Sequence, residues 1–302
     1  MCGLYGFSRT TENTQKMNGI LAYAMSMRGK DSWGVTDGTN VFKKVGDITD
    51  TFVEMNYDAP LYHTRAHSVG AVTHRNAHPF AFETASRHVI GAHNGFVSNW
   101  QALKAKYERK DAEVDSEHIF MHIAEGKPVE EIAGWGAVIW YETDKLTGDQ
   151  VRYFSKFGNQ DNLHFAQLTT GEIVFASTEM AIEMAARLAG CEVHTFYEVE
   201  EKEKYFIEQV ANGRDELHMV EGGRLPWGEK AVELPHQVRQ SFWPDYDSRG
   251  NHNGQRRYVS QKGAKFCPVG HCNEVIKDDQ DLICPTCYTS LARDIYVTAN
   301  AY

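Results

Sequence analysis

Cys2 is the residue in this chain best suited to covalent chemistry. Its thiol sits in Met1-Cys2-Gly3-Leu4-Tyr5-Gly6 and becomes N-terminal once Met1 is cleaved. A free N-terminal cysteine holds a nucleophile and a base in one residue, an α-amine of pKa roughly 7.7–8.0 beside a thiol of roughly 8.5. The amine can take the thiol proton near neutral pH, so no separate histidine is needed. A cysteine at position 2 is usually incidental unless other motifs accompany it. Downstream lie Arg28-Gly29-Lys30-Asp31-Ser32-Trp33-Gly34, His63-Thr64-Arg65, Asn76-Ala77-His78-Pro79, His93-Asn94-Gly95 and Asp115-Ser116-Glu117. Taken singly, Asn94-Gly95 reads as a turn, Arg65 as a surface arginine and Asp115 as a helix cap.

Taken together and in this order, behind Cys2-Gly3, the five motifs resemble the class II glutamine amidotransferase domain, an N-terminal-nucleophile hydrolase. The resemblance runs over residues 2 to about 220 and implies a four-layer αββα sandwich. It implies that the Cys2 thiolate attacks the side-chain amide of glutamine, releases ammonia and leaves a γ-glutamyl thioester for water. The Asn94 amide and the Gly95 N–H would stabilise the oxyanion, a contribution worth roughly 3–4 kcal/mol per donor. Arg65 would take the substrate α-carboxylate in a bidentate grip, and Asp115 the α-ammonium. Arg28 would order the segment around the nucleophile, braced by Asp31 and Ser32. Where the family usually continues from His-Thr-Arg with an aromatic and Ala-Thr-His-Gly, this chain has Ala66-His67-Ser68-Val69-Gly70. Ser68 keeps the hydroxyl at the substrate site and Val69 replaces a histidine, which we read as a retuned rim. His78 aligns with a loop that contacts or gates the substrate.

A second motif stands near the C-terminus. Cys267-Pro-Val-Gly-His-Cys272 and Cys284-Pro-Thr-Cys287 are two cysteine knuckles separated by eleven residues. Four thiolates at that spacing suit a closed, tetrahedral, structural zinc in a small ribbon, with His271 as a weaker substitute ligand. A segment of about 35 residues has too little core to fold unaided, so the metal would supply its stability. The histidines His63, His67, His74 and His78 also fall at spacings that suggest a metal, but Gly70 and the Val-Thr pairs there indicate strand and loop. Cys191 reads as a core residue.

The elements that must position these groups are read from periodicity. Residues 2–8 read as a buried first strand, and Met17, Ile20, Leu21, Ala24 and Met25 mark a helix over 12–27, stopped by Arg28-Gly29. A hairpin over 35–45 turns at Asp37-Gly38. Short strands are expected at 61–64, 69–73 and 88–93, with Asn94-Gly95 as a turn. Helices begin at Ser98 and Ser116, the second ending at Gly126. Strands are expected over 137–142, 151–157, 164–169 and 173–177, then a helix from Thr178 to Gly190, then strands over 193–199 and 205–210. The expected class is α+β, with residues 2–221 as the glutaminase domain, 222–262 as a linker and 263–302 as the zinc ribbon.

Composition sets the outer limits. The chain has 302 residues, 42% apolar and 24% charged, and no run resembling a membrane span or a basic-then-apolar leader. With cysteines grouped for metal rather than spread for disulfides, a cytoplasmic protein is expected. A net charge of −10 argues against general nucleic-acid binding. Arg249, Arg256, Arg257, Lys262 and Lys265 nevertheless form a basic run, which is either a solvated linker or a contact for a nucleic acid or another anionic partner. Residues 222–302 contain no Ser-Gly-Gly-x-Asp-Ser-like loop or phosphate-cradling glycine motif, so the expected nitrogen acceptor is a separate synthase. Two alternatives stay open on sequence alone. One is an amide hydrolase acting on a substrate other than glutamine; the other is a non-enzymatic adaptor built from a retired amidotransferase fold and the ribbon.

Overall fold

The computed structural model describes residues 1–52, 57–158, 162–210 and 213–232, and the backbone of three short strands beyond them. The chain divides into two units, Met1–His236 and Gln237–Tyr302. In the first, the elements in order are β1 (Gly3–Phe7), α1 (Glu12–Ser26), β2 (Ser32–Thr36), β3 (Val41–Val45), the single turn α2 (Ile48–Thr51), β4 (Leu61–Arg65), β5 (Phe80–Glu83) and β6 (Arg87–Val97). Then come α3 (Trp100–Lys106), α4 (Glu117–Glu125), β7 (Gly134–Asp144), β8 (Gln150–Phe157), β9 (His164–Leu168), β10 (Ile173–Ala176), α5 (Glu179–Ala189), β11 (Val193–Tyr197), β12 (Tyr205–Gln209) and β13 (Asp215–Met219).

These strands form two antiparallel sheets. One has seven strands in the order β11-β9-β10-β1-β4-β2-β3, and the other six in the order β13-β12-β8-β7-β6-β5. The strand period of two sorts side chains into three cores. Tyr5 and Phe7 of β1, Tyr62 of β4 and Val174 of β10 face Met17, Leu21 and Met25 of α1 and Ala181, Ile182 and Ala185 of α5. Their neighbours Leu4, Leu61, Ile173 and Phe175 face the other way, meeting Ala92, Ala137, Ile139 and Phe154 of the six-stranded sheet. The far side of that sheet, with Val89, Val97, Val138 and Trp140, packs on Leu103 of α3 and on Ile119, Phe120 and Ile123 of α4. The ring centroid of Phe154 lies 5.0 Å from that of Phe165 and 5.1 Å from that of Phe175, both edge-on, so truncating one of them costs about 3–5 kcal/mol.

Local chemistry sets the helix ends. Thr11 caps α1 in a capping box with Thr14. Gly126 and Gly190 close α4 and α5 in left-handed conformations, where a Cβ is disfavoured. Two expected caps, Ser98 and Ser116, differ. Asn99, not Ser98, precedes α3, and its amide is engaged with Glu131 O and Ala133 N–H. Ser116 precedes α4 and Thr178 precedes α5, but neither side chain makes a capping bond.

Asn94-Gly95 is not a turn: both residues lie within the eleven-residue strand β6, paired with Ala137 and Gly136 of β7. Residues 69–73, expected as a strand, form an irregular loop. The start of the expected linker is packed. Trp227 is buried, stacks on Phe157 at 4.9 Å and donates Nε1–H to Ser155 Oγ at 3.1 Å. In the second unit, β14 (Ile276–Asp278), β15 (Asp281–Ile283) and β16 (Ser290–Leu291) pair antiparallel in that order. Cys267, Cys272, Cys284 and Cys287 and the basic residues Arg249, Arg256, Arg257, Lys262 and Lys265 lie outside the described residues. No helix among the described residues is long and apolar enough to cross a membrane.

Candidate active site

Cys2 stands at the head of β1, a strand flanked by β10 and β4 in the seven-stranded sheet. Gly3 pairs with Thr64, so one step outward along the antiparallel register sets Cys2 alongside Arg65 at the end of β4. Arg28, just past α1, donates Nε–H to the Cys2 carbonyl at 2.9 Å and clamps the Cys2 backbone. The thiol is half-buried, with Sγ 3.6 Å from Ala66 O. Burial pushes the Cys2 thiol up, the Arg65 charge pulls it down, and the Asp115 carboxylate adds to the rise. At neutral pH the sulfur is therefore held as the thiol and needs a base to become a nucleophile.

Arg65 is 2% exposed, an unusual place for a guanidinium. Its Nη1 and Nη2 donate to Ala71 O at 3.1 Å and Val69 O at 2.7 Å, fastening the loop after β4. Those bonds use two of its five N–H donors, leaving others for a carboxylate. The same loop is tied at its start by Asp31, whose Oδ2 accepts the His67 backbone N–H at 2.8 Å and lies 3.1 Å from His67 Nδ1. Although burial acts to raise it, the bonds from His67 hold the Asp31 carboxyl below its usual range. Ser68 lies exposed on this loop.

Asp115 is as buried as Arg65 and has the opposite charge. Burial pushes its carboxyl up to about 6, against the pull of the Val97 N–H bond and the Arg65 charge. It is joined to β6 through that bond, and Ser116 makes a second link, with Oγ 3.0 Å from His93 Nδ1. Trp135 O can only accept, so the 3.2 Å contact with His93 Nε2 puts the ring proton there and leaves Nδ1 to accept from Ser116. That commitment explains why Ser116 makes no cap. Burial holds the His93 ring neutral, with a pKa of about 4.

Asn94 comes next on the same strand, 1% exposed. Its Nδ2 donates to Ser177 Oγ at 2.9 Å, and its backbone carbonyl accepts from Asn162 Nδ2 at 2.7 Å. A Cβ on Gly95 would come within 2.0 Å of Trp135 O and 2.5 Å of His93 Nε2, so only glycine fits there. His78 is not at an accessible rim. It is buried with its ring 4.0 Å from that of His63 and 4.5 Å from Phe80, and burial holds it neutral.

The structure thus gathers Cys2, Arg28, Arg65 and Asp115 through register, backbone clamping and shared electrostatics. Asn94 and Gly95 are joined to the group through Ser177 and through the ties between β6 and the head of α4. Ser68 lies exposed on the loop that Arg65 fastens, and His78 is buried against His63, whose Nε2 lies 3.2 Å from His93 O. Ser177 and Asn162 have no motif signal in the sequence; His93 and Ser116 fall within quoted motifs, but nothing in the sequence pairs them.

Residues 51–193 match the family described as class-II glutamine amidotransferases. Over these residues the chain is similar to class II glutamine amidotransferases. The match takes in Arg65, Asn94, Gly95 and Asp115; Cys2 and Arg28 precede it. The domain is 24% identical over 206 residues to amidophosphoribosyltransferase 3, chloroplastic, of Arabidopsis thaliana, covering 61% of this chain and 38% of that protein. It is 33% identical over 118 residues to the isomerizing glutamine–fructose-6-phosphate aminotransferase of Geobacillus kaustophilus, covering 35% of this chain and 19% of that protein. The chain therefore spans well under half the length of these relatives. Among solved structures, glutamine phosphoribosylpyrophosphate amidotransferase from B. subtilis, complexed with ADP and GMP, is similar with a TM-score of 0.48 at 17% identity. That similarity covers 72% of this chain and 49% of the other.

Proposed function

We propose that residues 2–221 form a class II glutamine amidotransferase domain that hydrolyses glutamine, with Cys2 as an N-terminal nucleophile in an N-terminal-nucleophile hydrolase sandwich. The observation that carries the reading is the pair Arg65 and Asp115: a buried cation and a buried carboxylate, both felt by the Cys2 thiol. Burying two such charges is costly unless each is paired, and a zwitterionic amino acid pairs both at once. With Met1 removed, the Cys2 α-amine takes the Sγ proton and Sγ bonds to the glutamine Cδ. The carbonyl oxygen becomes an oxyanion held by Asn94 Nδ2–H and Gly95 N–H. Collapse expels the amide nitrogen, which takes that proton and leaves as ammonia. Water then attacks the thioester, giving glutamate and restoring the thiol. Purified protein lacking Met1 should release ammonia and glutamate from glutamine in equal amounts, and Cys2→Ala should not. Equal release by Cys2→Ala overturns the assignment.

Beyond the domain, sequence motifs alone support the proposal. Four thiolates, Cys267, Cys272, Cys284 and Cys287, would hold one structural zinc. Metal analysis should find one zinc per chain, lost in Cys284→Ala. We further propose that the nitrogen acceptor lies on a separate protein. The ribbon and the basic run are its docking elements, and copurification tests the assignment.

A further inference from the structure

Ser177 has no part in the chemistry above, yet it joins the two halves of the proposed site. It comes directly after β10 and is fully buried. Its Oγ accepts the Leu4 N–H at 2.8 Å, two residues after Cys2, and the Asn94 Nδ2–H at 2.9 Å. Its own N–H donates to the Leu4 carbonyl at 2.9 Å. One hydroxyl therefore ties the strand that begins at the nucleophile to a carboxamide on the opposite sheet.

From this geometry we infer that Ser177 is a positioning residue for the oxyanion site, an inference that rests on the glutaminase reading. A carboxamide rotates about a broad, two-fold χ2 torsion, and nothing in the covalent structure selects between its orientations. Fixing one Nδ2–H on Ser177 Oγ fixes the direction of the other, which is the donor left for the oxyanion. Because the same oxygen holds Leu4 N–H, that direction is set relative to Cys2 itself. A neighbouring bond steadies the second donor. Asn162 Nδ2 donates to the Asn94 carbonyl, which belongs to the same peptide group as the Gly95 N–H, so the peptide plane is held and its N–H polarised. Preorganised donors of this kind act because they need not reorient as charge develops.

The test is a double-mutant cycle on Ser177→Ala and Asn94→Ala, reading kcat and KM for glutamine hydrolysis. Alkylation of Cys2 by iodoacetamide, located by peptide mass, is read in parallel. Alkylation displaces iodide from a saturated carbon and forms no oxyanion, so it reports thiol reactivity alone. Removing one donor costs about 10²–10³ in kcat, and losing its aim should cost about 10–10². Ser177→Ala is expected to show that loss with KM within about threefold and alkylation within about twofold. It should add almost nothing in the Asn94→Ala background, since Ser177 acts through Asn94. Should Ser177→Ala fail to fold, Ser177→Cys makes the same comparison, because sulfur has a similar shape and accepts hydrogen bonds weakly. Losses that multiply across the cycle, or a matching loss of alkylation, overturn the inference, as does unchanged kcat in an active protein. A wild-type protein that releases no ammonia overturns the glutaminase reading, and this inference with it.

Discussion

Val97 N–H donates to Asp115 Oδ2 at 2.8 Å, tying the carboxylate at the head of α4 to the end of the strand that carries Asn94 and Gly95. The residue proposed to recognise the substrate's α-ammonium and those proposed to stabilise its oxyanion are thus parts of one hydrogen-bonded unit. Under the proposed function, recognition at one end of glutamine and catalysis at the other share a frame.

The first consequence is a pH limit. Asp115 binds an ammonium only when ionised, and burial places its pKa at about 6. As pH falls through that value the carboxyl gains a proton, so the fall in kcat/KM that protonation of the α-amine begins should steepen by about a further tenfold per unit below it. Asp115→Asn should abolish this limb of the profile. A wild-type profile with no added steepness below about pH 6 contradicts the role.

The same burial bears on stability. An ordinary carboxyl near 3.8 that folding moves to about 6 is ionised more easily unfolded than folded. Its ionisation therefore disfavours the fold, with the penalty growing as pH rises from 3.8 to about 6 and staying constant above, at about 3 kcal/mol for a group this buried. Asparagine keeps an oxygen to accept the Val97 N–H without the charge. Asp115→Asn should raise the thermal midpoint at pH 7 while raising KM for glutamine, a trade of function for stability. A lower midpoint at pH 7 would falsify this account of the site's electrostatics.

Arg65 should show the opposite pattern. Lysine keeps the charge but cannot span Val69 O and Ala71 O and also grip a carboxylate with two parallel bonds. Arg65→Lys is expected to raise KM for glutamine by about 10–10², with a smaller change in kcat, and to increase protease nicking between residues 66 and 75. Unchanged KM removes Arg65 from substrate binding.

Trp227 tests where the packed chain ends. Its indole is 2% exposed, stacks on Phe157 and bonds Ser155. Trp227→Ala should cost about 3–5 kcal/mol in denaturant unfolding. A chain cut after residue 221 should be destabilised by a similar amount relative to one cut after residue 232. Equal stability of the two truncations contradicts the packing described here.

Much of the fold is legible in the sequence wherever local chemistry and tertiary packing agree. The stripe Met17, Leu21, Met25 gives α1, and its burial against Tyr5, Phe7 and Tyr62 is what that stripe is for. Asn94-Gly95 misleads because a two-residue turn signal is local. In the fold Gly95 is required by the approach of Trp135 O, a contact about forty residues away that no neighbour in sequence announces. β13 escapes a periodicity reading because Asp215–Met219 alternates weakly and gains its place by pairing with β12. Ser177 and Asn162 are invisible for a related reason. A single hydroxyl or amide acquires a role only from which donors and acceptors the fold brings to it.

The most direct test of the central claim is the intact mass of the purified protein before and after a glutamine-derived diazo ketone. The account predicts a chain that has lost Met1, then a single adduct on Cys2, prevented by excess glutamine. Retained Met1 with no adduct, or an adduct elsewhere that glutamine does not block, would contradict it.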